Sequence, residues 1–337
     1  GLGGASVLCG ARTLDADLVA AGTSDGRVLA AGVQYEPLYG DGRRTGQTIR
    51  VAWQAALPVR EEGKPVPLVA VSLRGERFTV AAAGPGFLAV ASRNVEGERV
   101  RLADLSGTLA GREPTTLALD QDAESLCVGT SDGRVLRYVL EEEGGELREN
   151  LDAGGARVTA LAFAFGSQTL LVGDERGAVS GWQGIRSGGA GRTLSRVREF
   201  RGAGAAVTAF ASSRRDKSFL VVDREGGVRL DHLTTERTLA EWEPGPQGQA
   251  VAAMAPKRDG ATLAEEGGDL RRLESRAPHP EVTLRALFAP ALYEGYDRPE
   301  FVWQSTGGTD DFEPKFSLVP LIFGSLKGVL YAMLFSA

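Results

Sequence analysis

Eight consecutive residues occur twice in this chain: Gly-Thr-Ser-Asp-Gly-Arg-Val-Leu stands at positions 22–29 and again at 129–136. A repeat of that length is not a chance event, so the chain is read first as a repeat protein. The phrase also carries its own geometry. Asp-Gly between two apolar runs marks a tight hairpin, because Gly takes the positive φ that the turn requires. Val19-Ala20-Ala21 leads into the first copy and Leu126-Cys127-Val128 into the second. Each copy is therefore expected to be strand, turn, strand.

Looser copies follow once the turn glycine is used as a marker. Hairpins are expected at Gly26, Gly86, Gly133, Gly177, Gly226 and Gly268, with spacings between 42 and 60 residues. A period near the lower end suits a four-stranded propeller blade, and the excess is read as loop insertion. A short run precedes several hairpins, at 115–119, 158–163 and 207–211. These runs are apolar on both alternating faces, as in strands covered on both sides. Residues 48–53 and 239–242 suit a fourth strand. No helical period of apolar residues precedes about residue 280. The pattern resembles WD40-type β-propellers, although the Trp-Asp pair is absent and Trp182-Gln183 stands nearest its place. The expected fold is all-β: a WD40-like β-propeller of six or seven four-stranded blades over residues 1–276.

From residue 277 the character changes. Residues 277–315 read as a linker and membrane-proximal segment. Residues 316–337 read as the first part of a transmembrane helix, with one charge in 22 residues, a length that crosses a bilayer. This helix is expected to run from Phe316 to Ala337, with Ser317 as its cap and Pro320 in its first turn. Lys327 inside it must face a protein partner or a polar path. Tyr293, Tyr296, Trp303 and Lys315 suit the water–membrane boundary. The competing expectation is a helix packed on the flank of the propeller.

Three phrases in this segment carry a resemblance. They are Tyr293-Glu294-Gly295-Tyr296-Asp297, Phe301-Val302-Trp303-Gln304-Ser305-Thr306 and the run from Asp310 through Leu318-Val319-Pro320-Leu321. Over about residues 280–337 the chain resembles the long form of the phosphate ABC-transporter permease, the PstC type. In that family the Leu-Val-Pro-Leu phrase opens the first helix of the transport core, and long forms carry a large extra domain before it. The resemblance implies a fragment of a bacterial inner-membrane importer of inorganic phosphate. Its propeller would be a periplasmic docking or regulatory module. The implied partners are a second permease subunit, an ATP-binding subunit and a periplasmic phosphate-binding protein. The core helices and coupling loop lie outside these residues. Gly1 in place of Met, and an apolar run that reaches Ala337, give the expectation of a piece of a longer protein. The alternative is a soluble β-propeller scaffold for protein interactions.

Chemistry is not expected. The net charge of −6 argues against a nucleic-acid partner, which calls for a basic excess. No Gly-x-Ser-x-Gly elbow and no phosphate-binding Walker loop occur. His232 and His279 have no Cys or His at ligand spacing, so no metal is expected. His279 reads as a linker residue and His232 as an exposed strand end. A quinone-dependent propeller enzyme would need a clustered acid, a metal site and an aromatic platform, none of which the sequence offers. No catalytic residue and no cofactor are therefore assigned. Cys9 and Cys127 lie in apolar runs and are expected as free thiols, since free Cys behaves as a small hydrophobe. Residues 40–44, Gly-Asp-Gly-Arg-Arg, read as a surface loop with weak potential for an anion. Glu61-Glu62 and Glu141-Glu142-Glu143 read as solvated turns.

Overall fold

The structure, a computed structural model, describes residues 4–336 apart from 98, 143, 187–190, 244–249, 255–259, 266–269, 275–278 and 310–311. The chain divides into two compact units, Gly1–Ala162 and Phe163–Ala337.

In the first unit the repeats fold as antiparallel meanders. One sheet joins β1 (Val7–Arg12), β2 (Leu18–Thr23), β3 (Arg27–Gly40) and β4 (Arg43–Pro58) in chain order. The next joins β5 (Leu68–Arg74), β6 (Arg77–Gly84), β7 (Phe87–Asn94) and β8 (Arg101–Asp104), again in order. The third joins β9 (Pro114–Leu119), β10 (Ser125–Thr130), β11 (Arg134–Glu141) and β12 (Gly144–Asp152). Strand β6 shows why the apolar runs do not alternate. Phe78, Val80 and Ala82 pack with Leu18, Val28 and Leu57 of the first sheet. Ala81 and Ala83 on the opposite face pack with Leu126, Val128 and Leu136 of the third. A strand covered on both faces has no solvent side to keep polar.

The octapeptide forms the turn between the second and third strands of its sheet, with Gly22 opposite Val28 and Gly129 opposite Val135. Gly133 has φ 76°, and a Cβ there would lie 2.5 Å from the carbonyl carbon of Gly155. Glycine is thus needed twice over, for its backbone angle and for the loop that backs onto it.

The spacing excess between the first two markers is not a loop. Strands β3 and β4 have 14 and 16 residues and stay paired to Gly40 opposite Arg43. Residues 40–44 form the tip of this ribbon. Trp53 stacks on Phe78 at 4.8 Å where the ribbon leaves the sheet.

The next sheet joins β13 (Val158–Phe163), β14 (Thr169–Asp174), β15 (Val179–Arg186) and β16 (Arg192–Phe200), the last three strands lying in the second unit. Another joins β17 (Val207–Ser212), β18 (Ser218–Asp223), β19 (Val228–His232) and β20 (Arg237–Trp242). A three-stranded sheet follows: β21 (Ala250–Met254), β22 (Gly260–Glu265) and β23 (Leu270–Glu274). The fold is an all-β propeller followed by an apolar helix. Among the described residues five sheets have four strands and the sixth has three, against the expected six or seven of four. Beyond β23 the described chain leaves the sheet and forms α1 (Leu284–Phe288), so the sixth meander lacks a described fourth strand. The five described marker glycines all have positive φ; Gly268 lies outside the described residues.

His232 corrects an expectation. It ends β19 inside the sheet and is buried, with its Nδ1 2.9 Å from Thr235 Oγ1. Cys9 and Cys127 are free thiols, and burial pushes Cys127 up to about 12.

Candidate functional site

The segment that follows the sheets packs against β14–β16 and Lys217 of the second unit. Helix α1 opens at Thr283, whose hydroxyl accepts the Ala286 N–H at 2.9 Å, the N-cap arrangement. Next come β24 (Trp303–Gln304) and β25 (Lys315–Phe316), which pair antiparallel. Ser317 N–H donates to Val302 C=O, and Leu318 N–H to Leu287 C=O, both at 2.9 Å. These bonds fold the described residues between 283 and 318 into a compact strap.

A cluster of charges clasps the strap. Glu294 forms an ion pair with Lys217, and both side chains are 4% exposed. The Thr169 hydroxyl donates to Glu294 at 2.5 Å, and Gln183 Nε2 donates to Thr169 at 2.9 Å. Asp297 accepts the backbone N–H of Arg186 at 3.0 Å and an Arg192 N–H at 2.9 Å. The first of these bonds, with Arg192 beside it, holds the Asp297 carboxyl below the usual range. Arg198, buried in β16, donates to the Leu292 carbonyl. Burial lowers its pKa, while Glu313 and Glu294 oppose that shift.

Glu313 is the unusual member. Its side chain is buried, and neither carboxylate oxygen has a hydrogen-bond partner. Burial, then the nearby Glu294 charge, pushes it up to about 7 against the pull of Arg198, Lys217 and Lys315. Gln183 Oε1 and Arg198 Nη1 are also buried without a partner. Groups of this kind are commonly satisfied by internal water.

The four residues expected at the membrane boundary are placed differently from one another. Tyr293 is buried, Tyr296 half-buried and Trp303 exposed. Lys315 is buried, with Nζ 4.6 Å from the Phe312 ring centre and under 6 Å from those of Tyr293 and Tyr296. It also donates to the Glu313 carbonyl at 3.2 Å. The strap thus draws Tyr293 and Lys315 inward.

The apolar helix α2 runs over Val319–Ser336. Phe316, expected as its first residue, belongs to β25 and meets Trp303 edge-on at 5.7 Å. Ser317 is not the cap; its hydroxyl points to Leu287 C=O at 3.4 Å. The first helical bond runs from Ile322 N–H to Leu318 C=O. Pro320 sits in the first turn, where no N–H is required. From Leu321 to Ser336 every residue is exposed. By length and composition α2 is a candidate membrane span, with mean hydropathy 1.6. Lys327 lies 5.5 Å from the Tyr331 ring centre, one turn on. Ala337 lies outside the described residues.

The sequence signal for the clasp was present but incomplete. Glu294 and Glu313 fall within the phrases that carry the permease resemblance, whereas Lys217 and Arg198 sit in strand repeats with no mark on them. Among the described residues no group of three or more His, Cys, Asp or Glu is placed to hold a metal. A cleft of about 740 Å³ in the first unit is lined by Arg74, Arg101, Asp122, Glu124 and Glu142. Its charges pair with one another, Arg74 with Glu124 at 3.0 Å and Arg101 with Glu142 at 3.5 Å.

No described protein family matches the chain by sequence, and no curated protein does. Solved structures match by fold. A chain of the mitotic checkpoint complex crystal structure is 15% identical, with TM-score 0.56 over 81% of this chain and 75% of that one. The Cps50 (Swd1) β-propeller domain of Myceliophteria thermophila is 12% identical, with TM-score 0.58 over 81% and 83%. At such identities the likeness is one of fold, and a fold hosts many functions.

Proposed function

We propose that the chain is a non-catalytic interaction scaffold: a β-propeller tethered to a membrane by α2 and clasped to that tether by the strap. The observation that carries this reading is the exposed apolar face of α2, whose Leu321, Ile322, Phe323, Leu326, Leu330 and Phe335 touch no core. In water, an uncovered apolar helix calls for a lipid or protein cover. The propeller fold supplies loops from successive blades on which partners dock. The test is flotation of the full chain with phosphatidylcholine vesicles, followed by alkaline carbonate extraction. Carbonate-resistant flotation is the expected result. A monodisperse protein that stays at the bottom of the gradient without detergent sinks the tether.

The finer reading is the phosphate importer, and it rests on the resemblance of residues 293–321. On this reading the protein lies in a bacterial inner membrane with its propeller on the periplasmic side. The partners are then a second permease subunit, an ATP-binding subunit and a periplasmic phosphate-binding protein. A topology experiment tests it: Glu62→Cys, exposed in the first unit, in a chain with Cys9→Ala and Cys127→Ala. Labelling of intact cells by a thiol reagent that crosses the outer membrane alone is expected. Labelling that requires lysis rules out the periplasmic placement.

A further inference from the structure

The ribbon of β3 and β4 extends well past its own sheet. Residues 34–52 are exposed apart from Gly40 at the tip, so this part of the ribbon packs on no core. Its register sorts the side chains. Val33 faces Val51, Tyr35 faces Ile49, Pro37 faces Gln47 and Tyr39 faces Arg44, all on one side. Gln34 faces Arg50 and Glu36 faces Thr48 on the other, where Arg50 bonds Gln34 at 2.9 Å and lies 3.5 Å from Glu36. One face is therefore mainly apolar and aromatic, with Gln47 and Arg44 toward the tip, and the other mainly polar, with Leu38 opposite Gly46 its one large apolar side chain, close to the period-two amphipathic pattern of a half-covered sheet. Nothing described covers the apolar face: Tyr39 is 69% exposed and Ile49 67%. The ribbon is held in place at its base, where the Tyr35 hydroxyl donates to Ala16 C=O at 2.9 Å.

Two features decide what covers this face. The first is area. Two tyrosines, an isoleucine, a valine and a proline at these exposures offer roughly 500 Å², short of the ~800 Å² per partner of a stable protein interface. The ribbon face alone is too small to hold a second copy. The second is charge. The ribbon carries Arg43, Arg44 and Arg50 against Glu36 and Asp41, a positive balance in a chain of net charge −6. Arg43 and Arg44 stand at the tip beside Tyr39. Tyrosine rings sit at the headgroup level of bilayers, and arginine is drawn to anionic lipid. We infer that the β3–β4 ribbon is a lipid-surface contact, laying Tyr35, Tyr39, Ile49 and Val51 into the headgroup region of an anionic membrane. This goes beyond the tether by α2 and rests on different residues.

The test uses the full chain carrying Cys9→Ala, Cys127→Ala and Gln47→Cys, labelled with a polarity-sensitive dye. Vesicles are pure phosphatidylcholine or phosphatidylcholine with one-third phosphatidylglycerol. Flotation with pure phosphatidylcholine vesicles reports on α2, and the dye reports on the ribbon. A blue shift with the anionic vesicles, quenched by brominated lipid, is expected. Arg43→Glu with Arg44→Glu should weaken the lipid dependence of that shift by about tenfold or more, on the scale of surface-bound arginines. Tyr39→Ser with Ile49→Ser should abolish the shift while flotation persists. Flotation with an unshifted dye overturns the inference and leaves the tether intact. A shift with anionic vesicles in a protein that does not float with pure phosphatidylcholine supports the ribbon and sinks the tether. A shift that grows with protein concentration in the absence of vesicles assigns the face to another protein chain and overturns the inference.

Discussion

Thr130 and Asp223 solve one local problem with different chemistry. In the octapeptide turn the Thr130 hydroxyl accepts the Arg134 N–H at 3.0 Å and donates to Asp132 at 2.6 Å. Thr23 makes the same pair of contacts with Arg27 and Asp25. In later blades Asp174 and Asp223 take that position, and one carboxylate oxygen accepts two turn N–H groups in each. Thr130→Val keeps the shape and strands a buried N–H, a loss of about 1–3 kcal/mol. Thr130→Ser should cost less, because it keeps the hydroxyl that makes both bonds. Midpoints of urea unfolding separate the two variants, and equal losses would show that the hydroxyl bonds do not matter. Glu313 sets a second expectation at this scale. Its pKa is raised to about 7 from 4.5 in the folded chain, so folding favours the protonated form. The stability this contributes is complete below about pH 4.5 and is lost as pH rises through 7, amounting to ~3 kcal/mol. Glu313→Gln should flatten this part of the pH dependence and stabilise the protein at pH 8. Thermal melts across pH 5–8 check both, and parallel curves for the two proteins refute the assignment.

At the scale of elements, the hairpins were legible because their cause is local. Gly133 and Gly177 need a positive φ, and a tight turn with apolar flanks writes that need into a few adjacent residues. The short apolar runs at 115–119 and 207–211 became β9 and β17, in which every residue but Thr208 is buried or half-buried, so the mark again lies on adjacent residues. The ribbon was missed although Val33, Tyr35, Tyr39, Ile49 and Val51 alternate. Pro37, Gly40 and Gly46 interrupt the run and read as loop signals. The clasp was legible only on the side of Glu294 and Glu313; its pairing was not, because Thr169 and Glu294 stand 125 residues apart. Sequence shows that Lys217 and Lys315 are charged but not that folding takes them out of water. Lys217→Met tests the clasp. It leaves Glu294 buried without its cation, which costs about 3–5 kcal/mol when a buried pair is broken on one side. The strap should open before the sheets do, so proteolysis within 279–317 should quicken while near-native sheet content by circular dichroism remains. Adding Glu294→Gln should recover much of the loss. A double variant as protease-sensitive as Lys217→Met would mean that charge pairing is not what holds the strap.

For the whole molecule the question is what α2 belongs to. The sequence supplied its composition, and the structure adds that none of its residues is buried. A helix packed on the propeller's flank would share a core with it, and a polar substitution there would lower the stability of the sheets. A membrane tether makes the opposite prediction, because no residue of α2 is buried. Leu330→Asp adds a second charge to a span that already carries Lys327, at a cost of about 2.5–3.5 kcal/mol near the centre of a bilayer helix. The carbonate-resistant fraction should fall severalfold, whereas the unfolding midpoint of the sheets should stay within experimental error of the unsubstituted protein. A conservative Leu330→Ile change should alter neither. If Leu330→Asp instead lowers the unfolding midpoint and leaves membrane retention as it was, α2 is a structural helix of the propeller. The strap would then be its anchor to the sheets and not the link to a membrane.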